Sequence, residues 1–569
     1  MESYKLEFER WLNQPLEDDI RVELETMDEA AIEDAFYRDL AFGTGGLRGT
    51  IGAGTNRMNI YVVAKASQGL SHYLLANRAD NENVSVVIGY DSRIKSSDFA
   101  QVSASVFAAN GIKVHLWPEL TPVPTVSYAV RELNASAGVM ITASHNPSKY
   151  NGYKVYGADG CQITTVDASS ILGEIEKTDI FNDVKTMDFD VAIEEQKVKY
   201  IEASVLDNYI EAVKNQSVLF SDEIDKNVSI VYTPLNGTGL VPVTRVLKEC
   251  GYTSITVVEE QKDPDGTFPT CPYPNPEVRE AMELGLEYAS RCNADLLLAT
   301  DPDADRCGIA VKNASGEYQL LSANETGILM LDFICSQRQK HNLMPENPVF
   351  MKTIVTMDLA EKIAESYGVR TFNTLTGFKF IGEQIGRLEE EGREEDFIFG
   401  FEESYGYLSG SYVRDKDAVN AALIIAEMYS FYATRGISLL NKLEELYKKY
   451  GYCMNTLHSY EFPGSSGMEK MEEIMSSFHA GLDIIAGMKV TKTGDYSKGL
   501  NGLPKSDVLK FYFEGGEAEE GRTSGSVVIR PSGTEPKLKM YISVTAENQS
   551  EAENIESRIT TELENQIGN

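Results

Sequence analysis

Short apolar runs that alternate with helical segments are the feature that most constrains the fold of this chain. They lie at residues 84–91, 113–118, 137–142, 227–234, 295–301 and 396–402. Short apolar runs separated by amphipathic helices are typical of βα units, in which helices cover both faces of a mainly parallel sheet. The pattern therefore predicts an α/β protein with mixed, mainly parallel sheets.

The alternation starts again near residues 227 and 348, and the last part of the chain differs from it. A chain of 569 residues is too long for one hydrophobic core. We predict three consecutive α/β domains and a C-terminal α+β domain. The predicted domains are 1–205, with a helical lead-in over 1–40, then 206–322, 323–450 and 451–569. In the last of these, we predict a helix at 468–478 and strands at 508–514, 526–530 and 537–544.

The charge of the chain limits its partners. A formal charge of −35 argues against nucleic acid and against an anionic membrane surface. A small phosphate is recognised locally, so an acidic protein can bind one through a few Arg and Lys residues in a cleft. The first residues lack the apolar region of a signal peptide, and no run of about 18 apolar residues occurs. We therefore expect a soluble, cytoplasmic protein without a membrane or nucleic-acid partner.

The cysteines indicate packing rather than disulfides or zinc. Seven are scattered along the chain, an odd number, and no Cys-x-x-Cys spacing occurs. We expect all of them to be reduced thiols.

A serine follows the apolar run AGVMI, in the segment TASHNP at 142–147. The carboxyl end of a parallel strand is where open α/β sheets place their ligands, so the Ser144 hydroxyl is a candidate nucleophile or phosphoryl carrier. An ordinary Asn-Pro turn is the structural alternative. A Ser-His-acid hydrolase is disfavoured, because the Gly-x-Ser-x-Gly elbow of many such enzymes is missing.

Three aspartates at alternate positions, Asp301, Asp303 and Asp305, follow the run LLLAT. Such carboxylates can converge on one cation, and an all-oxygen set favours Mg²⁺ over a soft metal. An EF-hand would need Gly and Glu where the chain has Arg306 and Lys312. A solvated loop is disfavoured, because three carboxylates at a buried strand end repel one another without a counter-ion.

Two further segments offer groups for a sugar phosphate. Residues 530–536, RPSGTEP, combine a guanidinium, hydroxyls and Gly-exposed amides, which suit a phosphate dianion. Residues 400–404, GFEES, place paired carboxylates beside a hydroxyl, where sugar hydroxyls can donate hydrogen bonds to them. An ordinary turn and a helix N-cap are the alternatives. The Gly-rich segment GTGGLRG at 43–49 fits neither common nucleotide motif.

Together these segments resemble the α-D-phosphohexomutase superfamily, and within it the longer bacterial members that include phosphoglucomutases and phosphopentomutases. The resemblance covers almost the whole chain and keeps the family's order of phosphoserine, metal, sugar and phosphate loops. It implies four domains in a heart-shaped arrangement around a central cleft, with one loop from each domain.

The resemblance also implies roles for the phosphoryl-transfer residues. Ser144 is implied to be the phosphorylated serine. One Mg²⁺ per chain is implied to bind the three aspartates and an oxygen of the Ser144 phosphate. Arg48 and Arg306 are implied to flank the transferring group, Lys154 is the first candidate for general acid/base help, and His145 is a further catalytic candidate.

The remaining implied residues contact the substrate. The implied substrate-binding set is Thr44, Arg306, Thr376, Gly377, Lys379, Glu402, Ser404 and Lys416. The implied phosphate clamp is Arg530, Ser532, Gly533 and Thr534.

The implied activity is the interconversion of hexose 1-phosphate and 6-phosphate, with glucose phosphate as substrate and glucose 1,6-bisphosphate as intermediate and activator. The Glu402-Glu403-Ser404 triplet resembles the glucose-type enzymes. A phosphopentomutase is the first alternative and a phosphomannomutase the second. From other classes, the alternatives are a metal-dependent phosphatase and an inactive sugar-phosphate-binding regulator. The expected partners are small sugar phosphates, and the oligomeric state stays open between a monomer and a weak dimer.

Overall fold

A computed structural model describes residues 3–43, 45–77, 84–462, 467–500, 502–515, 523–531 and 537–568. These residues form four β-sheets that follow one another along the chain, each with helices packed against it. We name each sheet with its helices unit 1 to unit 4, in chain order.

Unit 1 contains a seven-stranded sheet with the order β1-β2-β6-β5-β3-β4-β7. The strands are β1 (Phe42–Gly43), β2 (Gly46–Thr50), β3 (Ser85–Tyr90), β4 (Lys113–Leu116), β5 (Ala137–Ile141), β6 (Tyr150–Gly157) and β7 (Val198–Tyr200). Strands β5, β3, β4 and β7 run parallel, whereas β1, β2 and β6 pair antiparallel. Every residue of β5 is buried, as expected for a strand covered on both faces.

Eight helices accompany this sheet among the described residues. They are α1 (Ser3–Leu12), α2 (Asp18–Thr26), α3 (Glu29–Phe36), α4 (Ile60–Ala76), α5 (Ser96–Ala109), α6 (Val123–Glu132), α7 (Thr165–Lys177) and α8 (Phe189–Glu194). The predicted helical lead-in is thus three short helices, and Trp11 of α1 packs edge-on against Phe36 of α3. Helix α9 (Ala203–Lys214) leads to unit 2, and its buried Tyr209, Ile210 and Val213 belong to the core of units 2 and 3.

Unit 2 contains a five-stranded sheet with the order β12-β11-β10-β8-β9. The strands are β8 (Ile230–Thr233), β9 (Ile255–Val257), β10 (Leu296–Thr300), β11 (Cys307–Lys312) and β12 (Tyr318–Leu321), and the helices are α10 (Leu240–Glu249) and α11 (Arg279–Cys292). The pairs β10–β8 and β8–β9 are parallel, and β11 returns antiparallel to β10.

Unit 3 contains a four-stranded sheet with the order β14-β13-β15-β16. The strands are β13 (Val349–Thr353), β14 (Arg370–Thr374), β15 (Phe397–Glu402) and β16 (Gly406–Leu408). The helices are α12 (Ala323–Lys340), α13 (Leu359–Ser366), α14 (Phe378–Glu390), α15 (Ala418–Ala433) and α16 (Leu439–Tyr450). The first three strands in this order are parallel, and β16 pairs antiparallel with β15.

Unit 4 contains a six-stranded sheet with the order β17-β22-β21-β20-β19-β18, antiparallel throughout. The strands are β17 (Tyr452–Glu461), β18 (Ile484–Ile485), β19 (Met488–Asp495), β20 (Leu509–Glu514), β21 (Ser524–Pro531) and β22 (Lys537–Ala546). The helices are α17 (Gly467–His479) and α18 (Gln549–Ile567). The predicted fold class, three α/β units with mainly parallel sheets followed by a different C-terminal unit, is confirmed.

The packing places the site. One continuous core joins units 2 and 3, whereas the largest cores of units 1 and 4 are separate, and a smaller apolar cluster joins units 3 and 4. The carboxyl ends of β5, β10 and β15 carry Ser144, Asp301 and Glu402. All seven cysteines are free thiols, as predicted. Among the helices in the described ranges, none is long and apolar enough to cross a bilayer.

Candidate active site

Ser144 lies in the loop after β5, with a left-handed backbone conformation at φ 54°. The Thr142 Oγ1 atom accepts a hydrogen bond from the Ser144 backbone N–H at 2.8 Å and donates to Asp91 at 2.6 Å. The Ser144 Oγ atom donates to Asp301 Oδ2 of unit 2 at 3.0 Å and lies 3.1 Å from His145 Nδ1. A predicted nucleophile from unit 1 therefore lies beside the predicted metal loop of unit 2.

The sequence analysis missed Arg93, which holds the serine loop in place. Its guanidinium donates to the carbonyl oxygens of Ser144 and Asn146, and also to those of Pro147 and Tyr150 at 3.0 Å. The only signal in the sequence is the position of Asp91-Ser92-Arg93 directly after the buried strand β3. The partners of Arg93 are backbone carbonyl oxygens, which no sequence motif identifies, so they become visible only in the folded chain.

The three aspartates converge after β10. A carboxylate oxygen from each of Asp301, Asp303 and Asp305 lies within 4.8 Å of the others, and all three side chains are buried. The backbone N–H groups of Asp305 and Arg306 donate to Asp301 Oδ1 at 3.1 and 3.0 Å. Burial, reinforced by the charges of Asp303 and Asp305, raises the pKa of Asp301 well above its ordinary value.

This cluster fits a hard divalent cation. The Oδ1 atoms of Asp303 and Asp305 are buried and accept no hydrogen bond from any described residue. Buried carboxylate oxygens without donors are costly, and a cation bound by oxygen ligands would satisfy them.

Two lysines face the same carboxylates. The Lys154 Nζ atom lies 2.9 Å from Asp303 Oδ2 and 3.3 Å from Asp305 Oδ2. The Lys416 Nζ atom lies 3.0 Å from Asp305 Oδ2 and 3.4 Å from Asp415 Oδ1. Lys154 comes from β6 of unit 1 and Lys416 from the loop before α15 of unit 3, so three units meet at the aspartates.

Two arginines and a histidine border the cluster. Arg48 of β2 lies 3.5 Å from Asn146 Oδ1, and burial lowers the pKa of its guanidinium. Arg306 donates to Glu277 Oε1 at 2.5 Å, and its Nε atom lies 3.9 Å from both Asp301 and Asp305. Burial, with help from Arg306 and Arg48, lowers the pKa of His145 to about 2, so this imidazole is neutral.

Glu402 and Glu403 at the end of β15 differ in their surroundings. Burial raises the pKa of Glu402 to about 7. The Glu403 Oε2 atom accepts hydrogen bonds from Thr353 Oγ1 at 2.7 Å and from Thr356 Oγ1 at 3.2 Å, so its carboxylate is engaged within unit 3. The backbone N–H of Cys307 donates to the carbonyl oxygen of Tyr405 at 3.0 Å, which ties this loop to the metal loop.

A cleft of about 510 Å³ opens between these loops and unit 4. Its lining includes His145, Glu277, Arg306, Ser404 and Lys539. This volume suits a small ligand such as a sugar phosphate. The sequence analysis missed both Glu277, which holds Arg306, and Lys539.

The other predicted residues fall in three places. Arg530 lies on β21 opposite Lys539 of β22. The start of α14 carries Thr376, Gly377 and Lys379, where burial lowers the pKa of Lys379 to about 8. Outside the described residues lie Thr44, Ser532, Gly533 and Thr534.

Family models match four consecutive segments of the chain. They are described as phosphoglucomutase/phosphomannomutase alpha/beta/alpha domain I at residues 39–180, domain II at 207–316, domain III at 322–450, and the C-terminal domain at 504–562. Together they cover well over half of the chain.

Curated relatives are similar over nearly their whole length. A phosphoglucomutase from Staphylococcus saprophyticus subsp. saprophyticus is 35% identical over 554 residues, covering 95% of this chain and 97% of the relative. A phosphoglucomutase from Staphylococcus haemolyticus is 34% identical over 531 residues, covering 91% of this chain and 92% of the relative.

Solved structures share the fold at lower identity. The open form of pp63/parafusin, a phosphoglucomutase from Paramecium, superposes with a TM-score of 0.70 at 18% identity and covers 94% of this chain and 96% of its own. A phosphoglucomutase/phosphomannomutase family protein from Burkholderia thailandensis gives 0.67 at 17% identity, covering 92% of this chain and 97% of its own.

Proposed function

The chain belongs to the phosphoglucomutase/phosphomannomutase family, and we propose that it interconverts α-D-glucose 1-phosphate and glucose 6-phosphate through a phosphoserine at Ser144. One contact supports this proposal above all. The Ser144 Oγ atom lies 3.0 Å from Asp301 Oδ2, so the candidate phosphoryl carrier of unit 1 touches the candidate metal loop of unit 2.

We propose one Mg²⁺ per chain, held by Asp301, Asp303, Asp305 and an oxygen of the Ser144 phosphate. The buried Oδ1 atoms of Asp303 and Asp305 that lack donors among the described residues support this ligand set. When bound, the ion would offset negative charge on the transferring phosphoryl group.

The first transfer moves a phosphoryl group from the enzyme to the sugar. The free hydroxyl oxygen of the bound monophosphate forms a bond to phosphorus, and the bond from phosphorus to Ser144 Oγ breaks. The serine gains a proton and the sugar hydroxyl loses one, so the step takes up and releases no net proton. Lys154 is the first candidate to assist this proton transfer, and Arg48 and Arg306 would offset charge on the phosphoryl oxygens.

The product of this step is glucose 1,6-bisphosphate, which must reverse its orientation within the cleft. Its other phosphate then faces Ser144 and is returned to the serine, which leaves the isomeric monophosphate. This requires sugar contacts that accept two orientations, for which Glu402 and Ser404 are the candidates. It also requires a clamp for the phosphate that is not transferring, for which we propose Arg530, Ser532, Gly533 and Thr534.

The choice of glucose rests on the relatives, which are named phosphoglucomutases. The chain keeps the Glu402-Glu403-Ser404 triplet that agrees with this choice. Pentose and mannose phosphates are the less favoured substrates.

With this function we also propose the domain limits, partners, location and oligomeric state that the sequence predicts. They are the domain limits 1–205, 206–322, 323–450 and 451–569, small sugar phosphates as partners, a cytoplasmic location, and a monomer or weak dimer.

The test uses purified protein with Mg²⁺ and a trace of glucose 1,6-bisphosphate. Glucose 1-phosphate, ribose 1-phosphate and mannose 1-phosphate are supplied in parallel, and product isomers and free phosphate are followed. We expect glucose 6-phosphate to form fastest without release of free phosphate, and a chelator to stop the reaction until Mg²⁺ is restored.

Serine variants complete the test. Ser144→Ala should abolish turnover, whereas Ser148→Ala, a hydroxyl deletion in the same loop, should retain it. A faster pentose reaction would contradict the substrate. Accumulating free phosphate, or turnover in Ser144→Ala, would contradict the phosphoserine mutase itself.

A further inference from the structure

The contact between units 3 and 4 contains buried charges as well as an apolar cluster. The apolar part includes Ile354 and Val355 of unit 3 with Val528 and Tyr541 of unit 4. The charged part is centred on Asp358, which lies a few residues further along the chain.

Asp358 binds two strands of unit 4. Its Oδ1 atom accepts a hydrogen bond from Lys510 Nζ of β20 at 2.6 Å, and its Oδ2 atom accepts one from Ser526 Oγ of β21 at 2.5 Å. Lys510 also donates to the carbonyl oxygen of Ile354 at 2.8 Å. Neighbouring strands of unit 4 are therefore fastened to one residue of unit 3.

The surroundings of this pair strengthen it. The Lys510 side chain is 1% exposed and that of Asp358 19% exposed, so water screens their attraction weakly. Lys352 adds a second cation at 3.3 Å from Asp358 Oδ1. Burial alone would raise the pKa of Asp358, but Lys510 and Lys352 outweigh it and hold that pKa well below its ordinary value.

Asp358 occupies the N-cap position of α13, where an aspartate ordinarily accepts a hydrogen bond from its own helix. In the described chain its carboxylate makes no such bond and turns to unit 4. Within the described ranges, Asp358 therefore lacks the capping hydrogen bond to its own helix and instead accepts hydrogen bonds from Lys510 and Ser526 of unit 4.

The same segment of unit 3 also touches the candidate sugar loop. Thr353 and Thr356 donate to Glu403, which lies between Glu402 and Ser404. Residues 353–358 thus connect the sugar loop at one end with β20 and β21 at the other.

Strand β21 connects Ser526, which donates to Asp358, with Arg530 of the candidate phosphate clamp. Ser526, Val528 and Arg530 alternate along β21, which pairs with β22 without a register shift, so they share one face of the sheet. Ser526 and Val528 line the cleft, so Arg530 lies on the cleft face. Arg530 is four positions after Ser526, which is about 13 Å along the strand.

We propose that Asp358 is a positioning residue that fixes Arg530, the described residue of the candidate phosphate clamp, at a set distance from the sugar loop. By fastening β20 and β21 to the segment that holds Glu403, it sets where Arg530 meets the phosphate that is not transferring. This inference rests on the proposed function and extends it to a residue outside the cleft chemistry.

A KM-against-kcat comparison tests the inference. In the proposed function Arg530 binds its phosphate before and during transfer, so displacing Arg530 weakens substrate binding more than the chemical step. We expect Asp358→Asn to raise the KM for glucose 1-phosphate about tenfold and to change kcat less than about threefold. The matched control is Asp332→Asn, which removes the partner of Lys442 at 3.0 Å within unit 3 and should leave KM unchanged.

A double variant separates positioning from a general loss of stability. Asp358→Asn leaves Lys510 buried without its carboxylate, and Asp358→Asn with Lys510→Met removes that cost. We expect the double variant to recover part of the lost Tm while KM stays raised, because the Asp358 carboxylate that holds Lys510 and Ser526 is still missing.

The outcomes are distinct. A KM that returns to the wild-type value together with Tm, or a single variant with unchanged KM, overturns the inference while the mutase function stands. Wild-type protein without mutase activity overturns the proposed function and this inference with it.

Discussion

Ser144 is held in the left-handed backbone region by one neighbouring side chain and one from a distant part of unit 1. Thr142 accepts from its N–H, and Arg93 donates to its carbonyl oxygen. A non-glycine residue in this region is strained, and such strain is found often at functional sites. The hydroxyl is thereby presented to Asp301 of unit 2.

Lys154 provides the first prediction. Its ammonium lies within ion-pair distance of Asp303 and Asp305, in the same loop as Asp301, which accepts from the Ser144 hydroxyl. We expect Lys154→Met to lower kcat by roughly 10²-fold or more, because a positioned proton-transfer group contributes at least that much. The measurement is kcat at saturating Mg²⁺ and glucose 1-phosphate.

The control for Lys154 is Lys149→Met, which removes an exposed ammonium close by in the chain and should leave kcat unchanged. Wild-type kcat in Lys154→Met would remove this lysine from the mechanism.

Glu402 provides the second prediction, because it and its neighbour Glu403 have different surroundings. Glu402→Gln should lower kcat/KM for glucose 1-phosphate by about 10- to 100-fold, the effect expected when a charged hydrogen-bond acceptor for a sugar hydroxyl is lost. Glu403→Gln should lower Tm, because Thr353 and Thr356 donate to this carboxylate within unit 3. Steady-state kinetics and thermal unfolding of both variants measure the difference, and the reverse pattern would exchange the two roles.

Residues that end a buried parallel strand were predictable, and residues that support them were not. Ser144, Asp301 and Glu402 follow apolar runs, so their placement at one edge follows from the alternation of strands and helices. Arg93 and Glu277 act through hydrogen bonds to groups far away in the sequence, and a single sequence does not show which groups will meet. The clamp residues Ser532, Gly533 and Thr534 lie outside the described chain, so their prediction stays a prediction.

At the scale of elements, helix α15 shows what the sequence signals and what it conceals. The helix is almost wholly buried, between the strands of units 2 and 3, as its run of apolar residues indicates. Glu427 is nevertheless part of it, and its carboxylate accepts from Ser217 Oγ at 2.6 Å and from the Val218 N–H at 3.2 Å. The segment between α9 and β8 is thereby fastened to the core.

Glu427 gives a prediction on pH dependence. Burial raises its pKa to about 7, and the titratable groups that face it are Lys226, Cys250 and Tyr252. The folded protein then holds a proton that the unfolded chain releases near pH 4.3, so this group makes the protein less stable as pH rises from about 4.3 to about 7. Glu427→Gln should remove up to about 4 kcal/mol of this pH-dependent change in the free energy of unfolding.

The measurement for Glu427 is urea unfolding of wild type and Glu427→Gln at pH 5 and pH 8. Relative to wild type, the free energy of unfolding of Glu427→Gln should be higher at pH 8 than at pH 5. A constant difference would show that Glu427 titrates as it does in the unfolded chain.

Element boundaries follow the same division between local and distant causes. The predicted strand at 137–142 is β5 (Ala137–Ile141), because a continuous apolar run of β-branched and small residues is itself a local signal. The lead-in at 1–40 is three helices. Their breaks have local causes, because Pro15 lies between α1 and α2 and the Asp28 side chain caps α3 by accepting from the Ala31 N–H. The core that they share with α4 and α7, in contrast, joins residues far apart in the sequence.

At the scale of the whole molecule, units 1 and 3 are joined by a shared carboxylate. Glu389 at the end of α14 accepts hydrogen bonds from Arg131 of α6 at 3.0 and 2.7 Å, and from Arg414 of unit 3 at 2.7 Å. Arg414 lies two residues before Lys416, which faces Asp305. The contact of Glu389 with units 1 and 3 is therefore connected, through Arg414 and Lys416, with Asp305 of the candidate metal loop.

Glu389→Gln tests this contact. The hydrogen bonds from Arg131, with burial opposing them and Arg414 assisting, lower the pKa of Glu389 to about 2. Its contribution to stability is then present above about pH 4.3, the ordinary value for the unfolded chain, and is lost as pH falls towards 2. At pH 7 the variant leaves the buried Arg414 guanidinium without its anionic partner. The Glu389 side chain is itself 38% exposed and water screens the pair, so we expect the free energy of unfolding to fall by only about 1 kcal/mol.

The matched control is Glu390→Gln, the neighbouring exposed carboxylate, which should unfold as wild type does. Because Arg414 and Lys416 share one loop, we also expect Glu389→Gln to reduce kcat/KM for glucose 1-phosphate about threefold to tenfold, which Glu390→Gln should not do. Loss of stability with unchanged kcat/KM would confine Glu389 to holding units 1 and 3 together. Unchanged stability would mean that water replaces this carboxylate at no cost, and that the core contacts alone join the two units.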